Sequence, residues 1–183
     1  MGRDKALLEL DGVPMVVRTA RLVEPLVTSV IVVAPSERYA SLGLEMIPDR
    51  WPGEGPLGGI VTALGASSAD WNLILACDLP FLTAEWIAWI VSRAQHSSAR
   101  AVVPESGRGI EPLAAMYRTD CGPLLTATFE RGVRSVSEAL RELVVDRVTM
   151  DQWSALDSAD TLLQNINTPL DFAEAQRRIT KEM

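Results

Sequence analysis

Residues that build the commonest reactive centres are scarce in this sequence. Its 183 residues include one histidine, His96, and two cysteines, Cys77 and Cys121. The cysteines are too few and too far apart to form a disulfide framework or a zinc site. His96 lies in the polar stretch RAQHSS, which is typical of the solvated end of a helix. These shortages argue against histidine-based catalytic triads and histidine-rich metal sites. Catalysis would have to rest on carboxylates, lysine, backbone amides and a hard metal ion.

Excess positive charge and long apolar runs are also missing. The net charge at pH 7 is −7, whereas a nucleic-acid surface is marked by a basic patch, so no nucleic-acid partner is expected. A phosphorylated small molecule remains compatible with an acidic chain because a few well-placed groups can hold it. No apolar run approaches the roughly 20 residues of a membrane span, and no signal-peptide pattern is found. We therefore expect a cytoplasmic protein without membrane contact.

Strand-like and helix-like segments alternate along the chain, which predicts an α/β sandwich with a mostly parallel sheet. One domain is expected over residues 1–183, since a single core serves chains of up to about 200 residues. Uninterrupted apolar runs such as SVIVVA and NLILAC are typical of buried parallel strands. The predicted strands are 29–34, 44–47, 72–77, 101–104, 112–118 and 144–150. The predicted helices are 13–26, 56–66, one capped by Thr83, about 121–129, 135–143 and one that begins with Thr168 and Pro169. The apolar stripe of the helix after Thr83 (Trp86, Trp89, Ile90 and Ala94) is interpreted as core.

Asp78 is the most informative single residue. It follows the apolar run NLILAC directly, and Pro80 comes just beyond it. The carboxyl end of such a strand is the edge of an open α/β sheet at which ligands bind. A lone carboxylate there suits Mg²⁺, which pairs one or two carboxylates with substrate phosphates; the alternative is a helix cap or a turn. Lys5, after a glycine and before an apolar run, could meet phosphate as a mobile point charge, or it could simply be solvated.

A glycine-rich stretch and two charged residues complete the candidate groups. PGEGPLGG, residues 52–59, precedes a helix and would let backbone N–H groups approach a phosphate or a base, unless it is only a tight turn. Asp49 closes a short strand as Asp78 closes a longer one, so both carboxylates are expected at one sheet edge. Arg134 lies just before a helix and could anchor an anionic second substrate, or it could be a surface arginine beside the capping residue Ser135.

Six stretches, taken together, resemble one family. They are MGRDKALLELDGVPM, PDRWPGEGPLGGI, LACDLPFL, EPLAAMYR, GVRSVSEAL and NINTPLD. They occur in the order seen in molybdenum cofactor guanylyltransferases, the molybdopterin-guanine dinucleotide biosynthesis protein A family, and they span nearly the whole chain. GPLGGI, EPLAA and NINTP favour this branch over related nucleotidyltransferases. The resemblance implies a Rossmann-like nucleotidyltransferase fold, built as a three-layer sandwich.

The resemblance also implies an activity and its partners. Members of the family transfer GMP from GTP to molybdopterin, usually in its molybdenum-loaded form, and release pyrophosphate. Mg²⁺ is the implied cofactor, and GTP and molybdopterin are the implied substrates. The molybdenum insertion protein and molybdoenzyme chaperones are the implied protein partners of a monomeric enzyme.

Residue roles follow from the same resemblance, position by position. Lys5 would contact the GTP phosphates and Asp78 would ligate Mg²⁺, which makes these two the expected catalytic residues. The nucleotide-binding residues would be Lys5, Asp49, Gly55 and Asp78. The expected pterin-binding residues are Arg134, Asn165 and Asn167.

The sequence departs from the family pattern at two places. Family members carry a strand and an LAGG loop directly before MG.DK, and this chain begins at Met1 without them. We therefore expect Met1 to be an internal methionine of a longer protein whose missing strand is central to the sheet. Without that strand, the 183-residue chain is expected to be poorly soluble and to bind GTP weakly. The second departure is Pro35, in VVAPSE, where many guanylyltransferases have asparagine.

Three alternatives to a guanylyltransferase remain open from the sequence. The stretch VVAP is common in cytidylyltransferase relatives, so a cytidylyltransferase that acts on the same pterin is the nearest rival. A sugar-1-phosphate nucleotidyltransferase fits less well. A non-catalytic relic that binds pterin or a protein partner would explain the missing loop, but such a relic would have no need of Lys5, Asp49 and Asp78.

Overall fold

The computed structural model describes residues 4–156 and 159–179. The prediction about Met1 falls outside these residues. The helices are α1 (Met15–Val23), α2 (Ser36–Tyr39), α3 (Pro56–Ala66), α4 (Ala84–Gln95), α5 (Gly122–Glu130), α6 (Val136–Ala139) and α7 (Pro169–Ile179). The strands are β1 (Glu9–Leu10), β2 (Val13–Pro14), β3 (Val32–Val33), β4 (Met46–Ile47), β5 (Trp71–Leu75), β6 (Ala101–Ser106), β7 (Gly109–Ile110), β8 (Ala114–Arg118) and β9 (Val145–Thr149). No helix of this described part is both long and apolar enough to cross a membrane.

The main sheet combines parallel and antiparallel pairing. β6 pairs in parallel with β9 and antiparallel with β8, and β8 pairs antiparallel with β5. β5, β6 and β9 therefore share one direction, while β8 and the short β7 run against it. β3 and β4 form a separate parallel pair, and β1 and β2 form a small antiparallel hairpin. The predicted α/β class and the common direction of most strands are confirmed; β8, between β5 and β6, makes the sheet mixed.

Two cores lie on the two faces of this sheet. Successive side chains of a strand point to opposite faces, so Val102 and Met116 belong to one core and Ala101 and Tyr117 to the other. The first core includes residues of α1 and α4, and the second includes residues of α3, α5 and α6. Helices on both faces of a central sheet give the predicted three-layer sandwich.

The helix α4 begins and packs as its sequence predicts. The side chain of Thr83 accepts a hydrogen bond from the backbone N–H of Trp86 at 3.2 Å, which satisfies one of the free donors of the first turn. Trp86 is fully buried, with its ring centroid 5.3 Å from that of Trp153. Ile90 is also fully buried and Trp89 is half-buried. The aromatic stripe is therefore core, as predicted.

The strand predicted over residues 29–34 is much shorter in the structure. Only Val32–Val33 pairs, and β4 is its sole partner within the described residues. β5 also pairs on one side only in this part of the chain, with β8, and it ends at Leu75 rather than at residue 77. A segment is a β-strand only as far as a neighbouring strand pairs with it through backbone hydrogen bonds. An apolar run whose one neighbour is short is therefore a strand over only a few residues. Residues 135–143, predicted as one helix, form α6 and a 3-10 turn, Leu140–Glu142.

Candidate active site

Asp78 lies just beyond the carboxyl end of β5, and both of its carboxylate oxygens are engaged. Oδ2 accepts from the Lys5 ammonium at 3.2 Å, and Oδ1 accepts from the Asn165 side-chain amide at 3.0 Å. The side chain is 16% exposed. Asp78 is thus a largely buried carboxylate that is held by two donors from distant parts of the chain.

Lys5 reaches Asp78 from a short turn at the other end of the sequence. It begins the 3-10 turn Lys5–Leu7, whose first residues are capped by Asp4, because the Asp4 carboxylate accepts from the backbone N–H of Ala6 at 3.1 Å. The Lys5 ammonium also donates to the Asn167 side-chain oxygen at 2.8 Å. The lysine side chain is 33% exposed, so its ammonium can still be reached by a ligand.

The segment that carries Asn165 and Asn167 is fixed by its backbone. Between them, Ile166 donates its N–H to the carbonyl of Asp78 at 3.0 Å, and its side chain is buried against Leu10 and Met15. These contacts direct the two asparagines toward Lys5 and Asp78. The structure therefore brings together four of the residues that the sequence singled out.

The start of α7 holds the same segment from the other side. The Asp171 carboxylate accepts from the backbone N–H groups of Asn167 and Thr168, both at 2.8 Å. The Asn167 bond is the largest of the causes that lower the pKa of Asp171 below its usual value. The Thr168 hydroxyl accepts from the N–H of Asp171 at 3.1 Å, as predicted for a helix cap.

Arg108 is the residue that the sequence reasoning missed. It lies in the two-residue turn between β6 and β7, and its Nη2 is 3.2 Å from the Asn165 side-chain oxygen. The same Nη2 lies 3.1 Å from Glu111 and also donates to the carbonyl of Leu163. The only sequence signal is an arginine in a glycine-flanked turn, SGRGIE, just before the motif EPLAA.

The glycine-rich stretch forms a second cluster. Gly53 and Gly55 have φ of 83° and 91°, a backbone region that favours glycine, and α3 begins directly after Gly55. The Asp49 carboxylate accepts from the N–H of Trp51 at 3.0 Å and from the Thr62 hydroxyl at 3.1 Å. Within the described contacts Asp49 therefore shapes the entry to this loop, and its predicted role toward guanosine stays a prediction.

Arg134 belongs to this second cluster. Its Nε donates to the Glu54 carboxylate at 2.7 Å, and its guanidinium carbon lies 3.9 Å from the centroid of the Phe129 ring. Within the part of the chain that the structure describes, no hydrogen bond or ion pair joins Arg134 to Asn165 or Asn167, the other two expected pterin residues. The structure places Arg134 against the glycine loop; its role toward the pterin stays a prediction.

A cleft and a cysteine flank Asp78. The cleft has a volume of about 370 Å³ and is lined by Cys77, Leu79, Met15, Arg18 and other residues of α1 and its neighbourhood. Burial, followed by the negative charge of Asp78, raises the pKa of the Cys77 thiol to about 11. Cys77 is therefore a neutral thiol near pH 7 and is not a nucleophile there.

The carboxylate of Asp78 would suit a hard cation if that cation bound together with a substrate. The described residues contain no group of three or more His, Cys, Asp or Glu side chains that could hold a metal by themselves. Mg²⁺ does not require such a cage, since one or two carboxylates and the phosphates of a substrate commonly complete its shell. Asp78, beside the amides of Asn165 and Asn167, matches that pattern.

Comparisons with known proteins give consistent results. The model of the MobA-like NTP transferase domain matches residues 1–144. The "Probable molybdenum cofactor guanylyltransferase" of Trichormus variabilis is 35% identical, over 96% of this chain and 84% of its own length. The molybdenum cofactor guanylyltransferase of Shewanella baltica is 30% identical, over 98% and 90%. Molybdopterin-guanine dinucleotide biosynthesis protein A of Archaeoglobus fulgidus has a similar crystal structure, with a TM-score of 0.84 and 24% identity over 98% of this chain and 92% of that chain.

Proposed function

The chain belongs to the MobA-like NTP transferase domain family, and from this premise we propose that it transfers GMP from GTP to molybdopterin and releases pyrophosphate. Two relatives of at least 30% identity, which match over 84% and 90% of their own length, carry the name molybdenum cofactor guanylyltransferase, in one case as probable. The observation that carries the proposal is the convergence of Lys5, Asp78, Asn165 and Asn167 at the carboxyl end of β5. The accepted pterin is expected to be the molybdenum-loaded form.

The proposed reaction is an in-line displacement at phosphorus. An oxygen of the molybdopterin phosphate attacks the α-phosphorus of GTP and forms a new phosphoanhydride bond. The bond between the α-phosphorus and the bridging oxygen to the β-phosphorus breaks, and pyrophosphate leaves with that electron pair. Catalysis of this kind rests on positioning and on charge stabilisation, without a covalent enzyme intermediate. Lys5 supplies positive charge for the phosphates, and its contact with Asn167 holds the ammonium in place.

Asp78 is the residue that would hold Mg²⁺ in this proposal. The ion would neutralise charge on the phosphate oxygens. Asn165 keeps one carboxylate oxygen of Asp78 in a fixed direction, and Lys5 contacts the other. A ligand that binds Lys5 through its phosphates would compete for that second contact and free the oxygen toward a cation.

The glycine loop is the proposed guanosine side of the site. Backbone N–H groups near Gly55, at the start of α3, suit a nucleotide, and Asp49 fixes the entry to that loop. Arg134 and Glu54 join the loop to the end of α5. Cytoplasmic location, monomeric state and contacts with a molybdenum insertion protein or molybdoenzyme chaperones stay predictions of the sequence.

The test is nucleotide turnover on molybdopterin. With the strand and LAGG loop of family members added before Met1, the purified protein should release pyrophosphate from GTP in the presence of molybdopterin and Mg²⁺, and far less from CTP. Preferred turnover of CTP would mean that the enzyme is a cytidylyltransferase, the alternative that the names of the relatives do not favour. Binding of molybdopterin without turnover of either nucleotide would identify a non-catalytic relic.

A further inference from the structure

We propose that Arg108 is a positioning residue of this transferase, which orients the Asn165 amide and through it the Asp78 carboxylate. The kinetic part of this proposal rests on the function proposed above. Arg108 Nη2 lies 3.2 Å from Asn165 Oδ1, and Asn165 Nδ2 lies 3.0 Å from Asp78 Oδ1. The three side chains form a chain of hydrogen bonds that leads from a turn of the sheet to the Asp78 carboxylate.

The chemistry of the three groups allows this chain to run in only one sense. A guanidinium can only donate, and an ionised carboxylate can only accept. The Asn165 amide has one accepting oxygen and one donating nitrogen, so its oxygen must face Arg108 and its nitrogen must face Asp78. A flipped amide would place its NH₂ group against the Arg108 guanidinium and its oxygen against the Asp78 carboxylate. Arg108 disfavours that orientation, because two donors would then face each other. Without Arg108, this part of the preference for the observed orientation would be lost.

Arg108 is itself attached to the main sheet. Its Nη2 is 3.1 Å from the Glu111 carboxylate, which is 17% exposed and accepts from the Ser106 hydroxyl at 2.6 Å. The backbone N–H of Arg108 donates to the same hydroxyl at 3.1 Å. Ser106 ends β6, so the guanidinium takes its position from the central strand of the sheet. The side-chain contacts of Arg108 with Glu111, Asn165 and the carbonyl of Leu163 are all made by this one nitrogen, Nη2.

A direct contact with substrate is the competing role for Arg108. Its side chain is 52% exposed and could meet the phosphate of the pterin. The neighbouring Glu111 carboxylate argues against this role, because it offsets the positive charge that an anion would need. The two roles also differ in kinetics: loss of a positioning residue lowers kcat, whereas loss of a direct contact raises KM for molybdopterin.

The test begins with the chain alone, without substrate or metal. We would record the side-chain amide resonances of Asn165 in ¹⁵N-labelled protein, and assign them by their loss in Asn165→Asp. Arg108→Ala should shift or broaden these resonances. Arg93→Ala is the matched control, because Arg93 is also about half-exposed and is bonded to a largely buried carboxylate, Asp146, away from Asp78. It should leave the Asn165 resonances unchanged.

The second measurement is steady-state kinetics with GTP and molybdopterin. Arg108→Ala should lower kcat about 10- to 100-fold, the scale for partners that orient a ligand of a catalytic ion, with KM for both substrates nearly unchanged. Arg108→Lys should recover part of kcat, since an ammonium can still donate to Asn165 Oδ1. Arg93→Ala should match the wild type.

Each result decides the proposal. Unchanged Asn165 resonances in folded Arg108→Ala would overturn it, and so would a rise in KM for molybdopterin at constant kcat. If the wild type turns over neither nucleotide, the proposed function fails while the amide resonances still decide the role of Arg108. If Arg108→Ala does not fold, Glu111→Gln replaces it, and unchanged Asn165 resonances in that variant would overturn the proposal.

Discussion

Two similar β-branched runs are buried to different extents. One lies in the N-terminal region (residues 4–47) and the other in the sheet region (residues 71–149). Val32 and Val33 of β3 are half-buried, whereas Val102 and Val103 of β6 are fully buried. β6 is paired by β8 and by β9, but β3 has β4 alone among the described residues. The apolar run sets the tendency to form a strand, and the number of neighbours sets how much strand forms and how deeply it is buried.

The candidate active site joins these two regions. Asp78 lies in the sheet region, just after β5, whereas Lys5 comes from a short turn of the N-terminal region. Besides the Asp78 and Asn167 contacts of Lys5, that turn is held by Asp4, which accepts from the Tyr39 hydroxyl at 2.6 Å and from Arg38 at 3.0 Å. Side-chain contacts, rather than a ladder of backbone hydrogen bonds, therefore position the lysine.

The largest expected effect is the loss of turnover when Asp78, the site residue from the sheet region, is replaced. Asp78→Asn removes a negative charge but keeps the shape of the side chain and its backbone contact with Ile166. We expect Mg²⁺-dependent turnover to fall about 10²-fold or more, the scale for loss of one charge-stabilising group. Asp70→Asn, at the other end of β5, is the control and should keep full activity. Wild-type turnover in Asp78→Asn would rule it out as the metal ligand.

The next prediction compares the two β-branched runs directly. Val102→Ala should lower the free energy of unfolding by about 2 kcal/mol, because it removes two methyl groups from a fully packed core. Val32→Ala removes the same groups from a half-buried position and should cost less than about 1 kcal/mol. Denaturant unfolding of both variants gives the two values. Equal losses would mean that β3 is as tightly packed as β6, and the contrast between the regions would fail.

Lys5→Ala tests the N-terminal side of the site. The lysine is assigned to the terminal phosphates, so the variant should weaken GTP binding by about tenfold, the scale of one hydrogen bond to a charged group. Binding of GMP should change little, and calorimetry with both nucleotides measures the difference. Arg38→Ala is the control, since it disturbs the same turn without removing the lysine charge. Equal weakening of GTP and GMP by Lys5→Ala would contradict the assignment.

The smallest expected effect concerns an ion pair within the sheet region. The hydrogen bonds from Arg93 are the largest cause that holds the pKa of Asp146 below its usual value. A carboxylate with a lowered folded pKa stabilises the fold above its unfolded pKa, about 4, and loses that contribution as the pH falls through its folded pKa. Asp146→Asn should therefore cost about 0.5–1 kcal/mol at pH 7.

The pH dependence of the unfolding free energy shows whether the effect of Asp146→Asn comes from the lost ion pair or from a general loss of stability. The difference in unfolding free energy between Asp146→Asn and the wild type should shrink below about pH 4. Asp151→Asn, whose side chain has no ion pair in the described part of the chain, should show no such change. A difference for Asp146→Asn that stays constant from pH 7 to pH 3 would mean that the Arg93 pair does not contribute.

Much of the site could be read from the sequence because its residues stand at recognisable positions. Asp78 follows an apolar strand, and Asn165 and Asn167 lie in NINTPLD, a stretch that resembles the family's C-terminal motif. The partners of the other charged groups could not be read in this way. Arg134, expected near the pterin, contacts Glu54 in the glycine loop, because the end of α5 packs beside the start of α3. Arg108 lies 57 positions from Asn165, and no local pattern marks such a pair.

The sequence by itself determined the alternation of strands and helices, the caps at Thr83, Ser135 and Thr168, and the core face of α4. These features depend on hydrogen bonds and side-chain periodicity within a few residues. Only the tertiary structure decided how long β3 and β5 are, that β8 runs antiparallel between β5 and β6, and which donors meet at Asp78. These features depend on which segments become neighbours, and burial and hydrogen bonding between distant segments fix that choice when the two cores pack.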